Sequence, residues 1–153
     1  MRKNEQNANI QKEGLFKLWK LAYNNDNNKV TIAEAGGITT ILSAMKTHSS
    51  NANVQEHGCG ALWILAANND NNQVTIAEAG GITTILSAMK IHSSNANVQE
   101  HGCGALQNLA SNENNRVTIS DAGGKAVIES ALRNYSSNAG VHEKGKAALR
   151  NLW

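Results

Sequence analysis

The sequence predicts an all-α protein built as a solenoid of repeated units, and three observations carry that prediction. First, VTIAEAGGITTILSAMK runs from Val30 to Lys46 and again, unchanged, from Val74 to Lys90. Self-similarity at a fixed period decides architecture before any single motif does. Second, apolar residues inside the repeat fall at helical spacing: Ile82, Ile85, Leu86 and Met89 stand at i, i+3, i+4 and i+7, with no alternating strand pattern. Third, the helical segments are separated by Asn, Asp and Gly-Gly clusters, and the chain has no proline.

The period follows from a second block. NANVQEHGCGAL at Asn51 to Leu62 returns letter for letter at Asn95 to Leu106 and fades into NAGVHEKGKAAL at Asn138 to Leu149, giving spacings of 44 and then 43 residues. A looser copy, NANIQKEGLFKL, opens at Asn7, 44 residues before Asn51. The chain therefore divides into a leader at 1–6, an N-terminal partial repeat or cap helix at 7–24, full repeats at 25–67 and 68–111, and a C-terminal repeat or cap at 112–153.

Each full unit predicts three helices. In the unit at 68–111, Asn68 to Asn72 is a turn, because Asn and Asp compete for backbone hydrogen bonds and cap helix starts. A short first helix follows through Val74, Ile76, Ala77 and Ala79, and Gly80 ends it by taking a left-handed cap conformation. The second helix carries the Ile82 to Met89 stripe. His92 to Asn95 form the next turn and cap, and the third helix, from Ala96 to about Ser111, is the longest.

Drawn at 100° per residue, the third helix of the preceding unit crowds Val54, Gly58, Ala61, Leu62 and Leu65 on one side, with Cys59 at its edge. Glu56, His57, Gly60, Trp63 and Ile64 fall on the other side, where Trp63 and Ile64 are large apolar residues without a partner inside the pattern. Gly58 and Gly102 are expected at close helix packing, while Gly60 and Gly104 face the opposite side and leave it wide. End units should replace core residues by polar ones. Lys125, Glu129 and Lys146 do stand where Ile82, Leu86 and Cys59 stand, and Lys17 stands where Ala61 does, so the chain reads as capped at both ends.

Composition narrows the functional classes. A formal charge of +2 over 153 residues is too small for nucleic-acid binding, where clustered Lys and Arg supply most of the affinity. No apolar run approaches the roughly 18 to 20 residues of a membrane span, and MRKNEQNANIQKEG lacks a signal-peptide core. Cytoplasmic or nuclear residence is the expectation. Cys59 and Cys103 occupy equivalent positions about 8 to 10 Å apart in stacked helices, too far for a disulfide, so both are expected to be reduced and buried. His57 and His101, one repeat apart, cannot share a metal ion whose ligands stand at about 2 Å. No nucleophile with its base, carboxylate pair or phosphate-binding loop emerges, so no catalytic residue and no cofactor is assigned.

The stretch NNQVTIAEAGGITTILSAMKIHSSNANVQEHGCGALQNLA, with a first helix ending in glycine, a hydrophobic second helix and a third helix ending in Asn-Leu-Ala, resembles the armadillo repeat. HEAT repeats are the nearest alternative, and periods of about 34 or 33 residues set the TPR and ankyrin families aside. The resemblance implies a right-handed superhelix whose third helices line a concave groove holding an extended peptide of a partner. It also implies an asparagine near the end of each third helix bonding the peptide backbone, and a tryptophan one turn earlier forming pockets for basic side chains. Here the asparagine position reads Lys20, Ile64, Asn108, Asn151, and the tryptophan position reads Phe16, Gly60, Gly104, Ala147. Those departures count against recognition of Lys/Arg-rich signals.

The groove-lining candidates are thus Phe16, Trp19, Lys20, Glu56, Trp63, Ile64, Glu100, Gln107, Asn108, Glu143, Arg150 and Asn151. Trp19 and Trp63 offer either an aromatic platform for a ligand or packing against the neighbouring third helix. Glu56, Glu100 and Glu143 form a carboxylate row that attracts a basic peptide or is simply a solvated face. A groove of about three helix rows, at about 8 to 10 Å each, would be roughly 25 to 30 Å long and hold on the order of eight extended residues. The leading expectation is a non-catalytic peptide-binding module whose partner is a segment of another protein, with no nucleic acid and no membrane. The alternative is an engineered or recently duplicated scaffold without a ligand of its own, self-associating through its ends or its exposed Trp and Ile.

Overall fold

A computed structural model describes all residues, Met1–Trp153. Ten α-helices follow a short 3-10 turn at Arg2–Asn4, and there are no strands. The partial repeat supplies α1 (Ala8–Ala22); the next unit supplies α2 (Asp26–Glu34), α3 (Gly37–Thr47) and α4 (Ala52–Ala66). The third provides α5 (Asp70–Glu78), α6 (Gly81–Ile91) and α7 (Ala96–Leu109), and the last provides α8 (Glu113–Asp121), α9 (Gly124–Asn134) and α10 (Ala139–Asn151). The third helices α1, α4, α7 and α10 pack side by side in that order and form the most extensive interfaces of the molecule. One apolar core runs continuously from Leu15 to Leu152 through every unit. This is the all-α solenoid of three-helix repeats, armadillo-like in its unit. Its longest helices have 15 residues, and no single helix is long and apolar enough to cross a membrane.

Local chemistry sets the element boundaries. The side chains of Asn7, Asn25, Asn51, Asn69, Asn95, Asn112 and Asn138 each accept a bond from the amide three residues on, so one residue type starts every first and third helix. Each such cap contributes about 1 kcal/mol. The first-to-second helix elbow needs both its glycines. Gly80 has φ 80°, where a Cβ is disfavoured, and a Cβ on Gly81 would lie 2.6 Å from the Ile76 carbonyl oxygen.

Hydrogen bonds repeat along the stack at the same pitch. Asn28, Asn72 and Asn115 donate from Nδ2 to the carbonyls of Leu21, Leu65 and Leu109 at 2.7, 2.9 and 3.1 Å, closing the third helix that precedes each. His48 and His92 Nε2 reach the Glu5 and Ser49 carbonyls at 2.6 and 2.7 Å, and Tyr135 Oη donates to Ser93 in the equivalent place. Because each acceptor is a carbonyl, both histidines carry their proton on Nε2.

That ladder recasts the leader. Residues 1–6 complete the first unit: Glu5 takes the part of Ser49, and Met1 lies on Gly14 as Met45 lies on Gly58. Gln11 Nε2 donates to Met1 and Asn4, as Gln55 does to Met45 and His48. Met1 to Gln6 therefore stand in for the last turn of a second helix. The expectation for Gly58 and Gly102 needs a smaller correction: they receive the side chains of Met45 and Met89, not another helix backbone.

Cys59 and Cys103 are free and fully buried, and burial pushes both thiols up to about 12. The polar replacements Lys17, Glu129 and Lys146 are exposed. Lys125 is half-buried, with its ammonium 3.5 Å from the centre of the Trp153 ring.

Candidate functional site

The face formed by the third helices carries most of the residues singled out from sequence, and its floor is aromatic. Trp19 projects from α1 across to α4, where its indole is 3.5 Å from the point a Cβ on Gly60 would occupy. The same ring meets His101 of α7 edge-on, with centroids 5.1 Å apart. Trp63 repeats the arrangement one unit on. Its indole lies 2.8 Å from the Cβ position of Gly104 on α7, and Lys144 of α10 stands over it at 5.2 Å. Each indole thus bridges three consecutive third helices, and the glycine beneath it lets the ring lie flat.

This corrects one expectation and resolves another. Gly60 and Gly104 do not widen the face; they are seats for the preceding unit's tryptophan. Trp19 and Trp63 do pack against the neighbouring third helices, and each stays half-buried on the core. Phe16 is explained by the same logic. It occupies the glycine position in α1, where no earlier indole arrives, and fills the space with its own ring, 6.0 Å from Trp19 and 5.4 Å from His57.

Ile64 is not part of this surface. It is only 9% exposed and belongs to the core, because the neighbouring helices close over the C-terminal turn of α4. Asn108 and Asn151 reach the face, but one donor of each is committed: Nδ2 of Asn108 donates to the Trp63 carbonyl and that of Asn151 to the Gln107 carbonyl, each at 2.9 Å. The carboxamide oxygen and the second N–H of each remain for anything else. Gln107 is half-buried, while Lys20, Arg150 and Asn151 are exposed.

The carboxylate row is uneven. Glu143 is exposed and hydrogen-bonded by Lys144, whose ammonium holds its carboxyl below the usual range. Glu56 and Glu100 are half-buried, and the Glu100 carboxylate rests on Gly140 near the start of α10. Sequence reasoning missed Lys144 and Tyr23 and passed over the histidines as parts of the floor. Lys144 occupies the position of His57 and His101, so reading the third-helix positions as aligned columns would have exposed all three.

Histidine chemistry here is structural. His101 Nδ1 bonds the Glu56 carbonyl at 3.1 Å. His57 Nδ1 is buried without a partner, and burial lowers its pKa, assisted by the positive charge on His101 and Lys12 and opposed by Glu56. No three His, Cys, Asp or Glu side chains converge in a metal-binding group.

A model of the LRRK2 ARM repeat matches residues 1–152, and the chain belongs to that armadillo family. No curated protein matches it. Similar solved structures are crystal structures of engineered proteins from the Northeast Structural Genomics Consortium. Two of them superpose with TM-scores of 0.83 and 0.81 at 28% identity, covering 95% and 94% of this chain. A third gives a TM-score of 0.83 at 24% identity over 94% of this chain and shares the fold. The chain spans 57%, 34% and 57% of their respective lengths. Armadillo repeats and engineered repeat scaffolds are typically non-enzymatic.

Proposed function

We propose that this armadillo scaffold binds an extended segment of a partner protein across α1, α4, α7 and α10. The observation that carries the reading is the pair of indoles, Trp19 and Trp63, held half-exposed on glycine seats along one face. Rings fixed in place lose little entropy on binding, and Trp and Tyr are favoured anchors of recognition surfaces. Polar groups follow the rings toward the C-terminal end, where Gln107, the carboxamides of Asn108 and Asn151, Lys144 and Arg150 can meet a peptide backbone or its side chains. The role the armadillo resemblance gives to its asparagines falls here to the carboxamide oxygen and one N–H, because the other N–H donates to a carbonyl of the preceding third helix.

The reading is tested by titrating a pool of short peptides while following tryptophan fluorescence, in a Trp153→Phe background that leaves Trp19 and Trp63 as reporters. A saturable shift supports binding. A second reading, a repeat scaffold without a ligand of its own, is favoured by the letter-perfect internal copies and by the engineered nature of the similar structures. No response to any peptide, together with a concentration-dependent dimer in sizing chromatography, would establish it.

A further inference from the structure

The N-terminal end of the third-helix face differs from the rest. Phe16, Trp19, Lys20 and Tyr23 line one shallow depression of about 320 Å³. They lie within two turns of α1 and its C-cap, so all four side chains converge from one rigid element. Phe16 and Tyr23 are 41% and 60% exposed, the largest paired aromatic exposure on the molecule. His57 of the adjoining unit flanks Phe16 at 5.4 Å between ring centres and leaves it exposed, whereas Trp63 has Lys144 above it.

Three rings around a depression would ordinarily suit a cation, since the faces of Trp, Tyr and Phe attract positive charge. Lys20 rules this out. Its ammonium stands 5.4 Å from the Phe16 ring centre, in the place an incoming cation would take, and it has no carboxylate partner within ion-pairing distance. The depression therefore combines an apolar wall with a single unneutralised positive charge at its edge. A ligand that complements both presents a bulky apolar side chain to the rings and a carboxylate to Lys20.

We infer that this corner anchors a short acidic-apolar element of the bound segment, a Leu or Phe with a Glu or Asp directly beside it. The inference rests on the reading of the third-helix face as a peptide-binding surface and assigns the sign and shape of its anchor. An extended chain rises about 3.3 Å per residue. A residue held at the corner thus sets the register for the next five or six residues along the indoles of Trp19 and Trp63.

The test uses the full chain and three fluorescein-labelled octapeptides read by anisotropy: GSELFESG, GSKLFKSG and GSEGGESG. The acidic-apolar probe is expected to bind at least tenfold more tightly than either of the others. Lys20→Glu, at an exposed position, should invert the preference between the first two, and Tyr23→Ser should weaken the first at least threefold. Arg133→Ala, an exposed charge on α9 outside this face, should leave the ranking unchanged. Equal or tighter binding of the lysine probe to the unmodified chain overturns the inference, as does a preference indifferent to Lys20→Glu.

Failure of the corner is separated from failure of the whole face by selecting binders from a random peptide library on the same chain. Selected peptides that bind Lys20→Glu and Tyr23→Ser unchanged, but lose affinity with Trp63→Ala, overturn the corner and keep the face. Absence of any selected binder overturns both.

Discussion

Helices α1 and α4 carry the same pattern and meet different fates. Leu65 in α4 is 1% exposed, while Leu21, its counterpart in α1, is 55% exposed. Where α4 has the buried Ala61, α1 has the exposed Lys17, and where α4 has Gly60 under an indole, α1 has Phe16. The amphipathic stripe is thus common to both, and the neighbour decides whether it becomes core. In a stack whose units touch only those beside them, stability is close to a sum of unit and interface contributions. Position in the row should then matter more than residue type.

The largest test of that contrast is Leu65→Ala against Leu21→Ala. The first should cost about 2 to 5 kcal/mol in denaturant unfolding, as large-to-small changes in a closed core do. The second should stay within about 0.5 kcal/mol, as for exposed positions. Equal effects would mean that the stripe itself, and not the neighbour, sets the energy.

The two glycine seats give a finer comparison. Alanine gains about 1 kcal/mol over glycine in a helix interior. At Gly60 the nearest atom to a new Cβ is His101 Nδ1 at 3.3 Å, so Gly60→Ala should be neutral or stabilising by up to about 1 kcal/mol. At Gly104 the Trp63 ring stands at 2.8 Å, so Gly104→Ala should be destabilising by roughly 1 to 2 kcal/mol, with a change in tryptophan fluorescence. Paired thermal melts would show opposite signs.

A smaller effect is expected on the outer side. Arg2 donates to the Ala35 carbonyl at 3.1 Å and to Thr40 at 3.2 Å, bracing the first elbow. Lys46 and Lys90 occupy the same position in later units without such bonds. Lys46→Arg should add about 0.5 kcal/mol by copying the brace, and combining it with Lys90→Arg should be close to additive.

The smallest effect is a pH dependence. His57 stays neutral in the fold below the pH at which an unfolded histidine takes up a proton, near 6.5. Its contribution is therefore complete above that value, declines as pH falls toward the lower folded pKa, and levels off below it. His57→Gln should remove this component from a stability-versus-pH series, whereas Ser49→Ala on an exposed turn should leave it in place.

Much of the architecture was legible because a repeat states its own boundaries. The Asn caps, the Gly-Gly elbow and the Ile82 to Met89 stripe are local signals, and each became the element its chemistry implies. The face was less legible. A helical projection places Ile64 beside Trp63, but it says nothing of how far adjacent helices close around the end of α4, and that closure buries Ile64. The same projection treats Gly60 as empty space, because the indole above it comes from a residue 41 positions earlier in the chain. Likewise, whether the Asn108 amide is free depends on the Trp63 carbonyl one unit away.

The sealed thiols turn the stack into its own gauge. Only the thiolate attacks an alkylating reagent, and with both sulfurs pushed up to about 12 and shielded from solvent, neither reacts while the helices stay together. Modification at neutral pH must wait for a transient parting of the rows. Since Cys59 rides on α4 and Cys103 on α7, the ratio of their labelling rates reports which end of the molecule opens first.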